Sequence, residues 1–406
     1  MIKKIIKSYN ETNLVIRIAI GIILGIIIAI FLPKLSCITI LGNLFVGALK
    51  AIAPILVLVL VISAIAQGSK KVDSRFNTVI FLYLISTFLA AATAVIFSYL
   101  FPQTLNLNIQ TSQIHAIPQG LQEVLQNMLI KIVENPLLSI AEGNYLGILF
   151  WSIMLGITIR DIATENTKTL LQDLANAISK IVTWIINLAP FGIMGLVFKA
   201  VSTSGIEIFT QYGKLLILLV CTMMFVALVT NPLVVFLTIK QNPYPLISKC
   251  LKESGITAFF TRSSAANIPV NMELCERLGL DKKMYSVSIP LGATVNMSGA
   301  AVTISIMTLA ATNTLGIETP LLMALILSLL ATIGACGASG IAGGSLLLIP
   351  MACSLFGISN DIAIQVVGVG FIVGVIQDSL ETALNSSSDV VFTATAEYFK
   401  MRKQDN

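Results

Sequence analysis

Long apolar runs alternate with short polar segments along the first 240 residues, and the lysines and arginines collect in those segments. The runs are Leu14–Leu32, Asn43–Ala66, Phe76–Phe101, Tyr145–Ile159, Ile178–Val201 and Leu215–Ile239. Their lengths approach the roughly 20 residues a helix needs to cross a bilayer's hydrocarbon core, so they predict six transmembrane helices. The fifth contains Asn187 and the breaker Pro190-Phe191-Gly192. A polar segment without a basic cluster follows the third run and includes an amphipathic stretch, Leu121–Ile140. Lys3, Lys4, Lys7 and Arg17 mark one end of the first run; Lys70, Lys71 and Arg75, then Arg160, then Lys240, fall at alternate ends of those that follow. By the positive-inside rule these ends, and the N-terminus, are cytoplasmic.

The pattern changes at Lys249. Lys249 and Lys252 precede the stretch Ile256–Cys275, and Arg277, Lys282 and Lys283 follow it. It is broken by Ser263, Ser264, Asn267 and Pro269, and both ends carry cytoplasmic-type charge. That predicts a re-entrant hairpin, since non-helical backbone at membrane depth must be buried in protein or line a cavity. A seventh span, Met284–Ala311, is interrupted at Gly292–Gly299, where the glycines and Asn296 predict an unwound segment. Leu321–Phe356 has the centre GACGASGIAGGS and flanks without Lys or Arg, which predicts a second hairpin entering from the outer side. The last span ends at Lys400, Arg402 and Lys403. The expected fold is an all-α polytopic membrane protein of eight transmembrane helices and two opposed re-entrant hairpins. Hairpin, span, hairpin, span is the signature of inverted repeats, and paired interrupted segments point to a transporter binding site.

Composition agrees. Of 406 residues, 56% are hydrophobic and 11% charged, which excludes an ordinary soluble domain. The net charge of +5 is dispersed in small clusters, so no basic face for nucleic acid is expected. The six cysteines form no CxxC pair and read as small core residues. His115 is the one histidine and lies in a polar stretch; no nucleophile–base pair or metal cluster is visible, so an enzyme is not expected. The first apolar run is too long for a cleavable signal's core.

The candidate chemistry lies in the last span. Gly374, Asp378, Glu381, Thr382, Asn385 and Asp389 share one face of a helix whose other residues are largely apolar. No Lys or Arg occurs between Lys283 and Lys400. Ionisable groups at membrane depth are costly and mark a transport or ion site.

Several motifs, in order along nearly the whole chain, resemble the dicarboxylate/amino acid:cation symporter family. TRSSAANIPV (Thr261–Val270) resembles its serine-rich first hairpin tip. PLGATVNMSG (Pro290–Gly299) resembles its unwound NMDGT region. Asp378, Thr382, Asn385 and Asp389 resemble the polar stripe of its last helix, and Ala189-Pro190-Phe191-Gly192 also matches. The variant QDSLETALNSSSD (Gln377–Asp389) is most similar to the bacterial serine/threonine:sodium symporters.

The resemblance implies that Asp378 accepts the substrate ammonium, and that Thr382 and Asn385 hold its carboxylate. Ser263 and Ser264 would close over the carboxylate from the first tip, and the Gly-rich second tip around Gly337 and Gly340 would be the outer gate. One sodium would sit among Gly292, Asn296, Asn385 and Asp389; Thr294, Met297 and the Thr332–Ala335 segment would offer carbonyls to a second. Glu381 stands where the acidic-substrate branch has an arginine, so the implied substrate is a small neutral amino acid, serine or threonine. Ser298 replaces an acidic residue of the motif and Gly374 another, which implies fewer coupled ions, although Tyr83, Ser86 and Thr87 resemble other partners of a third site. Two alternatives stay open. Glu381 could pair with Arg262, or Arg262 could face an open pocket and admit a diacid, giving a proton- or sodium-coupled carrier of dicarboxylates or acidic amino acids.

The expected organisation is 1–75 scaffold, 76–140 span three and polar loop, 141–210 scaffold, and 211–406 transport core. The resemblance also implies a homotrimer in the bacterial inner membrane, moving its transport core like an elevator, with both termini cytoplasmic.

Overall fold

The computed structural model describes residues 14–67, 74–107, 130, 132–205, 207–336, 338 and 343–405. The N-terminal lysines, Lys70 and Lys71, His115, most of the amphipathic stretch, and Gly337 and Gly340 lie outside the described residues. The described residues form helices joined by turns and short irregular segments, with no strand among them. In order, the helices are α1 (Leu14–Phe31), α2 (Thr39–Ala66), α3 (Ser74–Leu100), α4 (Pro136–Glu142), α5 (Tyr145–Ile162), α6 (Glu165–Asn187), α7 (Ala189–Ser204) and α8 (Ile208–Phe225). There follow α9 (Asn231–Ile239), α10 (Tyr244–Cys250), α11 (Ile256–Thr261), α12 (Ile268–Arg277), α13 (Lys282–Val295), α14 (Ser298–Leu315), α15 (Leu321–Ala335), α16 (Ile349–Ser354) and α17 (Asn360–Asp405).

The span pattern is met. Ser36–Ala66, Phe76–Leu100, Phe209–Ile239, Lys282–Leu315 and Asn360–Arg402 are each long and apolar enough to cross a membrane. α6 and α7 form a sixth, bent by 52°; the bend falls at Leu188, where Pro190 at the start of α7 lacks the N–H that a continuous helix needs. The remaining two places are taken by α1 and α5, of 18 residues each. α6 begins at Glu165, well before the expected span, because a charged amphipathic turn can be helical outside an apolar run.

Helices α1, α2, α5, α6 and α7 pack on one another, and α3 packs with α8, α13, α14, α15 and α17. In the first group backbones touch directly. A Cβ on Gly21 would stand 2.3 Å from the Pro190 carbonyl oxygen, and one on Gly192 would stand 2.3 Å from the Phe45 ring. Close backbone approach is how membrane helices gain packing energy without a hydrophobic driving force.

α17 carries the second group. It is an unbroken helix of 46 residues, about 69 Å at 1.5 Å per residue, against a hydrocarbon core of about 30 Å. Two broken hairpins lie along it. The first runs in through α10 and α11, joined by a π-helical turn at Leu251–Gly255, turns at Arg262–Asn267 and returns through α12. Its entering arm thus starts at Tyr244, not Ile256. The basic residues near Lys249 lie on the helix and do not end it. The second hairpin runs in through α15 and returns through a 3-10 turn (Gly344–Leu348) and α16.

The hairpins approach from opposite ends of α17. Past the first hairpin, the Asp281 amide donates to the Glu397 carboxylate at 2.9 Å, and Arg277 pairs with Glu253 across its arms. The second hairpin leads from α16 straight into the start of α17. Both tips reach Asp378, near the helix middle.

Gly21→Val should lower the melting temperature of the detergent-solubilised protein, because the added atoms meet backbone; overpacking of this kind costs about 1–3 kcal/mol. Gly47→Ala, whose Cβ would meet nothing within 4 Å, should leave it unchanged or raise it slightly. Equal melting temperatures for the two variants would show that the glycine contact does not tighten the scaffold.

Candidate functional site

The two hairpin tips and α17 enclose a set of polar side chains, nearly all buried. Asp378 is 2% exposed and Glu381 5%. Arg262 is 7% exposed, and its Nε donates to Asp378 Oδ2 at 2.6 Å. The Gly343 amide of the second hairpin donates to Asp378 Oδ1 at 2.9 Å. Arg262 ends α11 with φ of +51°, a left-handed conformation uncommon for a side-chain-bearing residue. That turn reverses the chain and sends the guanidinium toward α17. Its Nη1 is buried without a partner, beside a cavity of about 10 Å³ lined by Ile18, Ile186, Gly343, Gly374 and Asp378.

Glu381 has other partners. Thr303 Oγ1 donates to its Oε2 at 2.7 Å, Ser345 Oγ at 2.8 Å and Gln377 Nε2 at 2.5 Å. The Arg262–Glu381 pair left open by the sequence is therefore not formed; the guanidinium goes to Asp378. α14 can lie this close because Gly299 has no side chain: a Cβ there would stand 2.8 Å from the Glu381 backbone. Thr382, also buried, gives its hydroxyl to the Asp378 carbonyl at 2.8 Å. Ser264 is 2% exposed, whereas Ser263 is only half-buried and its hydroxyl accepts from the Ala266 amide.

Lower on the same face, Asn296 and Asp389 are fully buried. Asn296 Nδ2 donates to Asp389 Oδ1 at 2.9 Å and to Ser388 Oγ at 2.7 Å. Asp389 Oδ2 and Asn296 Oδ1 have no hydrogen-bond partner. Two oxygens in that condition, one of them carboxylate, fit a small hard cation. Gly292 leaves the room: a Cβ there would meet Asp389 Oδ1 at 2.6 Å and the Tyr83 hydroxyl at 2.8 Å. The Asn385 amide oxygen accepts from the Gly299 amide at 2.7 Å, and its backbone carbonyl accepts from Asn296.

The unwound segment is shorter than its sequence reads. α13 runs on to Val295, and only Asn296 and Met297 leave helical geometry. This affects the other proposed ion ligands. The Met297 carbonyl accepts the Ala301 amide at 3.0 Å, as the Gly292 carbonyl accepts the Asn296 amide at 2.9 Å. Thr294 is exposed, its hydroxyl bonded to the Leu291 carbonyl. The structure brings Gly292, Asn296, Asn385 and Asp389 together; Thr294, expected at a second ion, stands exposed outside that cluster.

Sequence reasoning missed several residues. Asn267 and Asn271 both donate to Ser386 Oγ, at 2.8 and 3.0 Å, fastening the first hairpin to α17. Their spacing of four, with Asn267 at the cap of α12 and Asn271 within it, was the available signal. Asn231 follows a π-helical turn at Val226–Thr230 and accepts from Ser86, which also bonds Ser298. Such turns have no sequence signature. Where the family motif has an acidic residue, Ser298 is thus held within a network of neutral groups.

Two opposed hairpins closing on a buried polar stripe are the architecture of a membrane transporter. Residues 14–399 match the sodium:dicarboxylate symporter family, and the chain belongs to that family. It is similar to proteins named serine/threonine transporter SstT. That of Bifidobacterium adolescentis is 61% identical over 396 residues, 98% of this chain and 92% of its own. That of Streptococcus thermophilus is 57% identical over 401 residues, 99% and 100%, and that of Streptococcus agalactiae 58% over 395, 97% and 98%.

Removing one partner of a buried ion pair costs about 3–5 kcal/mol, because the other charge is left unpaired. Arg262→Met should therefore lower the melting temperature substantially, and adding Asp378→Asn should recover part of the loss. Additive losses in this double-mutant cycle would show that the pair is not formed in the membrane protein.

Proposed function

We propose that this protein is a secondary active transporter that couples inward sodium movement to uptake of serine or threonine by alternating access. The observation that carries the reading is the division of α17 into two polar stations. At Asp378, the hairpin tips surround a carboxylate suited to an ammonium. At Asp389, two buried oxygens lack partners and suit a cation. The names of the relatives support the choice of serine and threonine. The family's name supports sodium as the co-transported ion.

A zwitterion would place its ammonium on Asp378, displacing the Arg262 guanidinium, and its carboxylate near Thr382, Asn385 and Ser264. A second carboxylate on the substrate would face Glu381, which already accepts three hydrogen bonds, so dicarboxylates and acidic amino acids are disfavoured. The Gly-rich second tip would serve as the outer gate. Sodium would be held by Asp389, Asn296 and carbonyls of Gly292 and Asn385. Charge asymmetry supports cytoplasmic termini and insertion in the plasma membrane, the inner membrane in a bacterium with two. We further propose that α1, α2 and α5–α7 form the scaffold of a homotrimer, against which the remaining helices move as a unit.

The test is uptake of labelled serine into proteoliposomes, with sodium or potassium outside and threonine or aspartate as competitor. Accumulation that needs an inward sodium gradient, and is blocked by threonine but not aspartate, is expected. Block by aspartate would overturn the substrate, and uptake driven by a pH gradient without sodium would overturn the ion. A conductance that does not saturate with amino acid would replace the transporter with a channel. Asp378→Asn should abolish uptake in folded protein; near-normal uptake would remove its ammonium role. Asp389→Asn should raise the sodium concentration for half-maximal uptake several-fold, and an unchanged sodium dependence would remove it from the ion station.

A further inference from the structure

Gln377 lies one residue before Asp378 and four before Glu381, and is 1% exposed. Its carboxamide is committed on one side only. Nε2 donates to Glu381 Oε2 at 2.5 Å and to Thr303 Oγ1 at 2.7 Å. The amide turns its NH2 toward Glu381 and Thr303. The carbonyl Oε1 therefore points away from Glu381, and no group donates to it. Buried polar atoms in folded proteins are overwhelmingly paired, and each exception needs a physical account.

The surroundings narrow what could pair with it. Thr303 has one hydroxyl proton, which serves Glu381 or the Gly299 carbonyl. Ser345 gives its proton to Glu381. A permanent protein donor is thus missing beside a station where a small amino acid is proposed to bind. Gln377 is bonded to Glu381, the residue that the substrate's side chain would face, so a substituent on Cβ comes near its amide. Serine and threonine carry a hydroxyl donor on Cβ; alanine does not.

We propose that Gln377 is a specificity-determining contact, its Oε1 accepting the hydrogen bond of the substrate's side-chain hydroxyl. This inference rests on the transport reading above. Glu381 acts through Gln377 as a positioning residue, holding the amide with its oxygen toward the substrate. A site built to bond a hydroxyl discriminates strongly against the analogue that lacks it, because the buried acceptor is then left unpaired.

The experiment compares labelled serine and labelled alanine uptake by wild type and Gln377→Met in sodium-loaded gradients. Methionine fills similar volume and offers no amide. The expected result is a fall of roughly tenfold or more in the ratio of kcat/KM for serine over alanine, the size of a lost hydrogen bond to a buried group, with alanine uptake retained. A merely structural role would depress both substrates together and leave the ratio unchanged, which would overturn the inference while serine transport stands. If Gln377→Met fails to reach the membrane, competition against serine uptake by the wild type and by Gln377→Leu decides. Threonine should compete much better than alanine with the wild type and lose that advantage with Gln377→Leu, and an advantage that persists in Gln377→Leu would overturn the assignment. Absence of serine uptake by the wild type would overturn the transport reading, and this inference with it.

Discussion

The structure turns on one buried carboxylate. Asp378 takes a guanidinium from the first hairpin and a backbone amide from the second. These two bonds bring both tips to one carboxylate. Each tip has left helical geometry at membrane depth, where unpaired backbone is costly. The ends have to converge on something that can accept from both, and an anion on a continuous helix does so. The cost of burying that anion is offset while Arg262 holds it, and any ligand that replaces Arg262 must bring a cation of its own.

The two hairpins are not held alike. The first is fastened to α17 beyond Arg262 as well, where Asn267 and Asn271 reach Ser386, and Arg277 and Glu253 tie its two arms together. The second meets the polar face of α17 through Gly343 and Ser345, close to its own tip. Both of those contacts end on carboxylates that the substrate station also uses. A change in what occupies Asp378 therefore reaches the second hairpin directly, while the first keeps its anchors.

Much of this was legible in the sequence. The apolar runs gave the spans, the basic clusters located the first hairpin, and the glycine density located the second. The stripe from Asp378 to Asp389 was visible as a helical face because α17 is regular and its period holds over the whole stretch. What stayed hidden depends on local departures from that regularity. Arg262 chooses Asp378 over Glu381 because its left-handed backbone aims the side chain, and no pattern announces a positive φ at arginine. Gly292–Gly299 looked unwound over its eight residues, yet Gly292, Ala293, Thr294 and Val295 remain helical; helical packing against α17 outweighs their weak propensity. Gln377 opens the QDSLETALNSSSD motif, but the motif assigns it no role, and only its partners give it one.

The two stations on α17 are eleven residues apart, about 16 Å along the axis at 1.5 Å per residue, too far for direct contact. Asn385 lies between them and touches both. Its side chain accepts from Gly299, beside Glu381, and donates to Met297 sulfur at 3.4 Å; its carbonyl takes Asn296, the neighbour of Asp389. The break at Asn296 and Met297 thus sits against the one residue shared by the two stations. A cation drawing on the Asn385 carbonyl and on Asn296 would fix that break, and with it the start of α14 that carries Gly299 and Thr303 to Glu381. A ligand at Asp378 would meet a wall already set, so each occupant would favour binding of the other, as linkage requires. Symport on this geometry needs no long pathway, only one short break in a helix that both ligands order.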